Sequence, residues 1–382
     1  MTVRPSCAAV HLLRLTIRDF RNIAEAEVEA PRAGLVLVGD NGQGKTNLLE
    51  AIYYLHLFRS LRGARDAELV RFGGAGFHVA AHVDGAAHDV IRAGFERATG
   101  RKKIVLDDVE CARLSDALGV LPCVAFAPSD VGIVGGAPAL RRRFFDVALA
   151  TTSRRYLLAL QQYRHALAQR NAALRSPGAP SLAGIWEAPL AQHGAVLRQE
   201  RMEWVRWARS RLAELGEALG ERQELGARYR SAVEVSEGAA EEEAREALVR
   251  ALERHRDRDV ERGATHTGPH RDDLDLRLGG HVLRHFGSAG QQRTAAIALR
   301  LLECAWYRER MAREPLVLLD DPLAELDRDR GGRVLSLLTA REMGQSVLAV
   351  PRLDDIPEAW TALARLRVRE GAVAPWATPW AA

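Results

Sequence analysis

Cysteines and long apolar runs are both scarce in this sequence. The four cysteines are Cys7, Cys111, Cys123 and Cys304. They lie far apart with no Cys-x-x-Cys pair, which argues against a zinc knuckle or a redox motif. No apolar run approaches the roughly 20 residues that cross a bilayer, and Arg4 and Arg14 interrupt the segment where a signal peptide would need an apolar core. We therefore expect a cytoplasmic protein with no membrane partner.

Lysine is also rare. Only Lys45, Lys102 and Lys103 are present, and the other 51 basic residues are arginines. A GC-rich genome accounts for such a bias, and a formal net charge of +4 says little about binding partners. With 382 residues, 47% of them hydrophobic, the chain is long enough for two to three domains, and its composition excludes a disordered protein.

Both ends of the chain show an α/β pattern. Residues 12–38 predict strands, and a helix is expected from Lys45 to about Leu57. Short apolar segments from 77 to 126 predict an antiparallel meander. Further on, a strand at 274–278, a helix from about Gln291 and an apolar strand at 315–319 are expected.

The middle of the chain has a helical pattern, at residues 140–174 and 182–219, broken by a loop at 176–180. Its charge is uneven, with +9 over residues 131–212 and −5 over residues 213–260. We predict a head domain from residues 1–130 and 262–382, with an inserted, mostly helical arm at residues 131–261.

One segment between a predicted strand and a predicted helix fits the phosphate-binding loop G-x-x-x-x-G-K-[ST]. Its glycines let backbone N–H groups surround a β-phosphate at a helix N-terminus. Lys45 would reach the β- and γ-phosphates of ATP, and Thr46 would bind Mg²⁺. The predicted ATP-binding residues here are Gly39, Asp40, Asn41, Gly42, Gln43, Gly44, Lys45, Thr46 and Asn47.

The apolar strand 316–319 ends in two carboxylates, as a Walker B site requires. Asp320 is the predicted Mg²⁺ ligand. Asp321 is the predicted acceptor that orients or deprotonates the attacking water. With Lys45, these two residues form the predicted catalytic set on this side of the nucleotide.

Residues 286–294 place Ser288, Gly290 and Gln291 at the start of a predicted helix. Such a start can bind a second anion, or the pattern can be an ordinary helix cap. One γ-phosphate does not need two complete binding sites on the same subunit. The anion-binding interpretation therefore requires a head-to-tail dimer that closes on ATP, with Ser288 catalytic across the interface and residues 324–327 as its D-loop.

These motifs and several others resemble the RecF family of bacterial recombination mediator ATPases, in the ABC-type group with SMC and Rad50 proteins. The resemblance runs nearly the whole length of the chain. The P-loop alone is generic, whereas the other segments in this order are specific. They are LTIRDFRN at 15–22, PSD at 128–130, GAPALRRRFFD at 136–146, QRN at 169–171 and TGPHRDD at 267–273.

The resemblance implies an α/β ABC-type P-loop ATPase head built from both chain ends, with the helical arm inserted as a lid. It implies an ATP-dependent homodimer, slow ATP hydrolysis, binding to gapped, single-stranded or duplex DNA, and loading of recombinase with RecR and RecO. The arm arginines could pair with a phosphate backbone, or could be solvated helix faces with ion pairs of their own. The candidate DNA contacts are Arg141, Arg142, Arg154, Arg155, Arg164 and Arg170.

Some features leave alternatives open. The two histidines and two aspartates of the loop 266–273 either hold a metal or pack beside the helix that begins at the Ser288 segment, which we call the signature motif. Pro269 prevents the helical spacing of a zinc pair. Related ATPases carry a His or Thr after the last core strand to sense the γ-phosphate. Here Ser346 or Arg352 substitutes, or hydrolysis is weaker, and residues 125–130 contain no Q-loop glutamine.

Two other protein classes share the phosphate chemistry. An ABC ATPase subunit of a transporter would not need a helical insert of well over 100 residues. An SMC/Rad50-like tether would need hundreds of coiled-coil residues between the two motif halves, and this chain has too few.

Overall fold

The computed structural model describes residues 8–176, 179–236, 238–323, 326–340 and 344–377. The chain divides into two compact units. Unit 1 comprises Met1–Asp130 and Glu303–Ala382, and unit 2 comprises Val131–Leu302. Within the described part, no helix combines the length and the apolar character needed to span a membrane.

The strands, in chain order, are β1 (Ala8–Ala9), β2 (His11–Phe20), β3 (Ile23–Glu29), β4 (Gly34–Val38), β5 (Gly76–Asp84), β6 (Val90–Glu96), β7 (Arg101–Leu106), β8 (Val109–Glu110), β9 (Cys123–Phe126), β10 (Leu225–Arg230), β11 (Asp273–Leu278), β12 (His281–Val282), β13 (Arg313–Glu314), β14 (Leu316–Asp320), β15 (Ser346–Val350), β16 (Ala364–Arg369) and β17 (Ala372–Pro375).

The α-helices are α1 (Lys45–Leu57), α2 (Asp66–Leu69), α3 (Leu114–Ala117), α4 (Val131–Gly135), α5 (Pro138–Ala150), α6 (Arg154–Ala173), α7 (Ala179–Gly184), α8 (Glu187–Ala218), α9 (Glu241–Arg254), α10 (Arg256–Arg262), α11 (Leu283–Phe286), α12 (Ala289–Met311) and α13 (Arg328–Ala340).

The central sheet of unit 1 has the strand order β17-β16-β4-β15-β14-β9, in which only β17 runs antiparallel to its neighbour. All five residues of β4 and of β15 are buried, as expected for parallel strands covered on both faces. The carboxyl ends of β4 and β14 therefore meet at one edge of the sheet. This edge is where the P-loop and the Walker B carboxylates lie, as is typical of ligand sites in open α/β sheets.

The second sheet of unit 1 is antiparallel, with the order β3-β2-β5-β6-β7-β8. The predicted meander is confirmed from β5 to β8. Its predicted continuation to residue 126 was wrong, because β9 pairs in parallel with β14 in the central sheet. All four residues of β9 are buried, so its sequence carries no alternation that could indicate its direction.

Unit 2 contains α5, α6 and the 32-residue α8, which packs against α6 and α9. It also contains a three-stranded sheet, β10-β11-β12, that includes a strand the sequence analysis did not predict. The six residues of β10 pair with β11, from Leu225 opposite Leu278 to Arg230 opposite Asp273. This pairing joins residues beyond 262 to the insert, so unit 2 extends to Leu302. The division of domains at residue 261 stays a prediction.

Candidate nucleotide-binding site

The P-loop connects β4 to α1 and turns sharply at Gly44. This residue has a φ of 115°, and a Cβ atom there would lie 2.8 Å from Asn22 Oδ1. An L side chain would be strained by the backbone angle and would clash with Asn22. Glycine at this position therefore lets the chain enter α1 at Lys45 without strain.

Lys45 is buried at the first position of α1. Its Nζ donates to the carbonyl oxygen of Asp40 at 2.9 Å and also to that of Gly39. Burial lowers the pKa of Lys45, and the nearby charges of Asp320 and Asp321 only partly oppose this effect. Within the described residues, the ammonium therefore donates hydrogen bonds only to backbone carbonyls.

Thr46 and Asp320, predicted to share one metal ion, are in direct contact. Thr46 Oγ1 lies 3.0 Å from Asp320 Oδ1 and 2.9 Å from Oδ2, although 274 residues separate them in sequence. Burial raises the pKa of Asp320, while the Thr46 hydrogen bond and the Lys45 charge act in the opposite direction. A hydroxyl and a carboxylate side by side are hard oxygen donors of the kind that Mg²⁺ takes together with nucleotide phosphates. The donor set therefore fits this ion.

Asp321 ends the Walker B strand in an uncommon backbone conformation. Its φ is 46°, in the left-handed region, and its N–H donates to the carbonyl of Ala349 at 3.0 Å. Non-glycine residues in this region concentrate at functional sites, where the surrounding structure holds the strain. The backbone at Asp321 is therefore fixed by β15.

Asn22, in the turn between β2 and β3, is a site residue that the sequence analysis did not identify. Its Nδ2 donates to the carbonyl of Gln43 at 3.2 Å, and its Oδ1 accepts from Asn47 Nδ2 at 2.8 Å. It thereby bridges the P-loop and the first turn of α1. The only signal for it in the sequence was its place at the end of the family-specific segment 15–22.

A buried carboxylate in α1, that of Glu50, supports the same region. It accepts hydrogen bonds from Arg21, Arg62 and Ser60. Burial alone would raise the pKa of Glu50, but these hydrogen bonds lower it to about 2. Arg62 also donates to Asn47 Oδ1 at 2.5 Å, which links the cluster to the P-loop helix.

The turn between β16 and β17 contacts the P-loop through its backbone. The N–H groups of Gly371 and Glu370 donate to the carbonyl and side-chain oxygens of Gln43, at 2.8 and 2.7 Å. Gly371 has a φ of 86°, and a Cβ atom there would lie 2.2 Å from the carbonyl oxygen of Asn22. Only glycine fits this close approach. Gln43 is therefore held by backbone donors from the hairpin and by the Asn22 side chain.

The two candidate γ-phosphate sensors lie at different ends of β15. Ser346 pairs with Gly34 at the start of β4, while Val350 pairs with Val38 next to the P-loop. Ser346 is therefore at the sheet edge opposite the P-loop. Arg352 follows Val350 and lines a cleft together with Gly39, Asp40 and Gln43.

The predicted signature motif lies in unit 2. The backbone N–H of Ser288 donates to Gln291 Oε1 at 2.9 Å, and the N–H of Gln291 donates to Ser288 Oγ at 3.3 Å. This reciprocal pair is a capping box at the start of α12, whose first turn includes Gly290. Ser288 is exposed, and so is Phe286 nearby, with 74% of its surface accessible. Of the predicted D-loop, residues 324 and 325 lie outside the described residues.

Two of the six candidate DNA-contacting arginines are buried in ion pairs. Arg141 is 1% exposed and donates to both carboxylate oxygens of Asp273, at 2.7 and 3.1 Å. Arg170 is fully buried and donates to Asp259 at 2.7 Å and Glu187 at 3.1 Å. To meet a phosphate, Arg141 would have to leave its bidentate ion pair with Asp273, and Arg170 would have to leave the buried Asp259 without an arginine partner among the described residues. This geometry does not support a DNA contact by either residue.

The other four candidates are less enclosed. Arg142 is half-buried and donates to the carbonyl of Asp272 at 2.9 Å. Arg164 and Arg155 are exposed in ion pairs with Asp146 and Glu241, and Arg154 is exposed at the start of α6.

The loop 266–273 uses its polar groups in packing. His270 Nδ1 lies 2.6 Å from the hydroxyl of Tyr163, and Asp272 accepts from the Tyr229 hydroxyl at 2.5 Å. Burial lowers the pKa of His270 to about 4. No group of three or more His, Cys, Asp or Glu that could hold a metal occurs among the residues described. Of the two interpretations of this loop, the geometry supports packing.

Comparisons with known proteins show the family to which the chain belongs. The model of the RecF/RecN/SMC N-terminal domain family matches residues 11–353. The DNA replication and repair protein RecF of Anaeromyxobacter dehalogenans strain 2CP-C is 40% identical over 371 residues, which cover 95% of this chain and 99% of that protein. A solved structure of the recombination mediator protein RecF with ATP, in the RecFOR pathway, superimposes with a TM-score of 0.89 at 28% identity, covering 98% of this chain and all of the other. An Smc head domain from Pyrococcus furiosus with an extended coiled coil, bound to the C-terminal domain of ScpA, is similar in fold alone, with a TM-score of 0.54 at 17% identity over 95% of each chain. The chain therefore belongs to the RecF family of DNA replication and repair proteins, ATP-binding members of the ABC-type ATPases.

Proposed function

We propose that this protein binds and hydrolyses ATP with Mg²⁺ at the P-loop and Walker B edge of unit 1, dimerises on ATP, and binds DNA in recombinational repair. The observation that carries the proposal is the contact between Thr46 and Asp320. It brings together a P-loop hydroxyl and a Walker B carboxylate that the sequence assigned to one ion. We retain the proposed head and arm domains as functional divisions, with the arm as the lid.

In this proposal each residue of the site has one task. Lys45 transfers its hydrogen bonds from the carbonyls of Gly39 and Asp40 to the β- and γ-phosphates. Thr46 and Asp320 hold Mg²⁺, which when bound neutralises charge on the phosphates. Asp321 orients the attacking water and accepts its proton, and the remaining residues of 39–47 surround the phosphates with backbone N–H groups.

Dimerisation is proposed from the signature motif. The exposed capping box of Ser288 and Gln291 presents a hydroxyl at a helix start, and Gly290 leaves the first turn open to an anion. The exposed Phe286 beside it supports an interface there, because a large apolar side chain gains by leaving water. The anion would be the γ-phosphate held by a second copy of the chain.

We further propose that DNA, RecR and RecO are the partners. The support is similarity to a recombination mediator protein of the RecFOR pathway. Arg154, Arg155 and Arg164 are exposed on α6 and are the arm residues we propose for phosphate contacts, together with the half-buried Arg142. The DNA that these residues would contact is gapped, single-stranded or duplex.

Asp321→Asn tests the hydrolysis mechanism. The variant should bind ATP through Lys45, Thr46 and Asp320 but stall, since the attacking water loses its acceptor. It should accumulate as an ATP-bound dimer on size-exclusion chromatography with light scattering. Turnover at the wild-type rate would show that the proton acceptor is another group.

Ser288→Arg tests the dimer separately. A bulky cation at the signature should leave ATP binding to the monomer nearly intact and prevent the ATP-dependent dimer. Ser210→Arg, at an exposed position of α8 in the same unit, is the matched control and should dimerise normally. An ATP-dependent dimer of Ser288→Arg would refute the role of this motif across the interface.

Arg352 is our proposed γ-phosphate sensor, because it lines the cleft beside the P-loop while Ser346 lies at the opposite sheet edge. Arg352→Ala should slow turnover without weakening ATP binding. Ser346→Ala is the control and should do neither. Equal turnover in the two variants would exclude Arg352 as the sensor.

A further inference from the structure

Unit 2 contains a cavity of about 410 Å³ that belongs to neither the nucleotide site nor the candidate DNA-contacting arginines. It lies among α8, β10, β11 and the segment 231–235. Two carboxylates, Asp275 and Glu234, line it together with more numerous cations. We call it the arginine pocket after its five guanidinium groups, those of Arg198, Arg209, Arg228, Arg230 and Arg277.

Three buried polar atoms around this pocket lack a hydrogen-bond partner within the described chain. They are Arg198 Nε, Arg277 Nε and Asp275 Oδ1. Arg198 is only 4% exposed and makes a single hydrogen bond, from one terminal nitrogen to the carbonyl of Val235 at 3.0 Å. A buried donor left without an acceptor destabilises the fold. The two Nε donors are therefore bonding capacity for an anion that the fold itself does not use, whereas the Asp275 oxygen is an acceptor and opposes an anion.

The charge of the pocket is only partly neutralised by its own carboxylates. Arg230 donates to Asp273 at 3.1 Å, but Asp275 is 3.7 Å from Arg230 and 3.9 Å from Arg277, beyond hydrogen-bond distance. Arg228 is exposed, and its guanidinium has no hydrogen bond or ion pair with the described residues. Guanidinium groups with free donors match the oxygens of a phosphate group, which they bind bidentately.

We propose that the arginine pocket is a binding site for a doubly charged phosphate group. Its volume lies within the range of small-ligand sites, so it has room for the phosphate and for part of the molecule that carries it. The group comes either from a free anion or from the terminal phosphate of a DNA strand. The second source rests on the proposed DNA-binding function.

Calorimetric titration of the full-length protein with inorganic phosphate tests the pocket itself. A non-hydrolysable ATP analogue at saturation keeps the P-loop occupied, and chloride holds the ionic strength constant. Arg228→Ala should weaken phosphate binding about 10-fold, because a charged donor is lost whose contribution is reduced by its exposure to solvent. Arg222→Ala is the matched control, since Arg222 is also exposed, also without a partner among the described residues, and outside the pocket. It should bind phosphate as the wild type does.

Fluorescence anisotropy with oligonucleotides distinguishes the two sources. The same strand is compared with a hydroxyl, a 5′-phosphate or a 3′-phosphate at its end. A gain in affinity from one terminal phosphate, lost in Arg228→Ala and kept in Arg222→Ala, assigns the pocket to a DNA end. No gain, with phosphate titration intact, assigns it to a free anion.

The proposal is overturned if phosphate neither binds in the titration nor raises DNA affinity from a strand end, or if both effects survive Arg228→Ala. Arg198→Gln gives a second reading, since it removes the buried guanidinium. The circular dichroism spectrum of Arg198→Gln reports whether this variant folds. If it does not fold, the result with Arg228→Ala decides whether the pocket binds phosphate. Wild-type protein that binds no DNA at all would refute the proposed function, while the calorimetric titration would still decide the pocket.

Discussion

The buried lysine of unit 1 and two buried arginines of unit 2 have different partners. In unit 1, Lys45 is buried but donates to the backbone carbonyls of Gly39 and Asp40. In unit 2, Arg141 and Arg170 are buried but donate to the carboxylates of Asp273, Asp259 and Glu187. A carbonyl that loses its lysine remains neutral, whereas a buried carboxylate that loses an arginine keeps a charge with fewer cations to neutralise it. The loss is greatest at Asp259, because Asp273 and Glu187 keep other arginine partners. The availability of a cation to a phosphate thus depends on the partner it must leave.

The comparison is tested most severely by Arg170→Ala. The free energy of unfolding should fall by about 3–5 kcal/mol, because the buried Asp259 loses its arginine partner, although Glu187 keeps its ion pair with Arg256. Arg164→Ala on the same helix is the control and should lower it by less than about 1 kcal/mol, since Arg164 is half exposed. Denaturant unfolding measures both. Equal losses would contradict the distinction between buried and exposed arginines.

Unit 1 contains its own buried ion cluster at Glu50, and the contribution of this cluster to stability depends on pH. The pKa of Glu50 is about 2 in the folded state, below the ordinary value of 4.5 expected when unfolded. Its ionised form therefore stabilises the native state above pH 4.5, and this stabilisation is lost as the pH falls toward 2. The shift corresponds to about 3 kcal/mol.

Glu50→Gln should accordingly flatten the dependence of unfolding free energy on pH in this window. Glu25→Gln, which alters an exposed carboxylate paired with Arg18, should leave the dependence as it is in the wild type. If Glu50→Gln and wild type lose stability in parallel between pH 4.5 and 2, the cluster does not carry the acid sensitivity.

Lys45→Ala should weaken ATP binding about 100-fold or more, since charge-assisted hydrogen bonds to two phosphates are lost. DNA retention that depends on ATP should disappear with it. Its fold should be nearly unaffected, because Lys45 leaves only backbone carbonyls behind. Lys103→Ala, at an exposed lysine paired with Glu110, controls for the loss of charge. Unchanged ATP affinity in equilibrium dialysis would refute the P-loop assignment.

The smallest effect is expected from the double variant Arg154→Ala with Arg155→Ala. If both contact DNA phosphates, the slope of log K against log[salt] should fall by about 0.9 for each contact with duplex DNA. Binding is measured with ATP at several salt concentrations. Weaker affinity with an unchanged slope would mean that these residues support the arm or the dimer, and would direct attention to Arg59, Arg62 and Arg65 on the head.

Much of the fold followed from local sequence patterns. The α/β ABC-type head with an inserted helical arm is confirmed, as is the resemblance to the RecF family, in preference to a transporter subunit or an SMC-like tether. The helix α1 begins and ends where its periodicity predicted. These features depend on residues close together in sequence, where spacing alone determines geometry.

The features that were missed depend on partners far away in sequence. The strand β10 is short, and its partner β11 begins more than 40 residues later. Asn22 and Gly371 reach the P-loop from two distant turns. The burial of Arg141 and Arg170 is set by carboxylates beyond residue 180. A single sequence contains no local signal for such pairings.

The order of the central sheet also constrains how the protein is made. The strand β4, which leads into the P-loop, lies between β15 and β16. During synthesis it therefore has no neighbour to pair with until residues 346–369 have left the ribosome. Pairing between strands so far apart in sequence is slow. An apolar strand that is unpaired on both edges in the meantime is prone to aggregate. Nucleotide affinity in the nascent chain should thus appear late and all at once, when the last parallel strands close around β4.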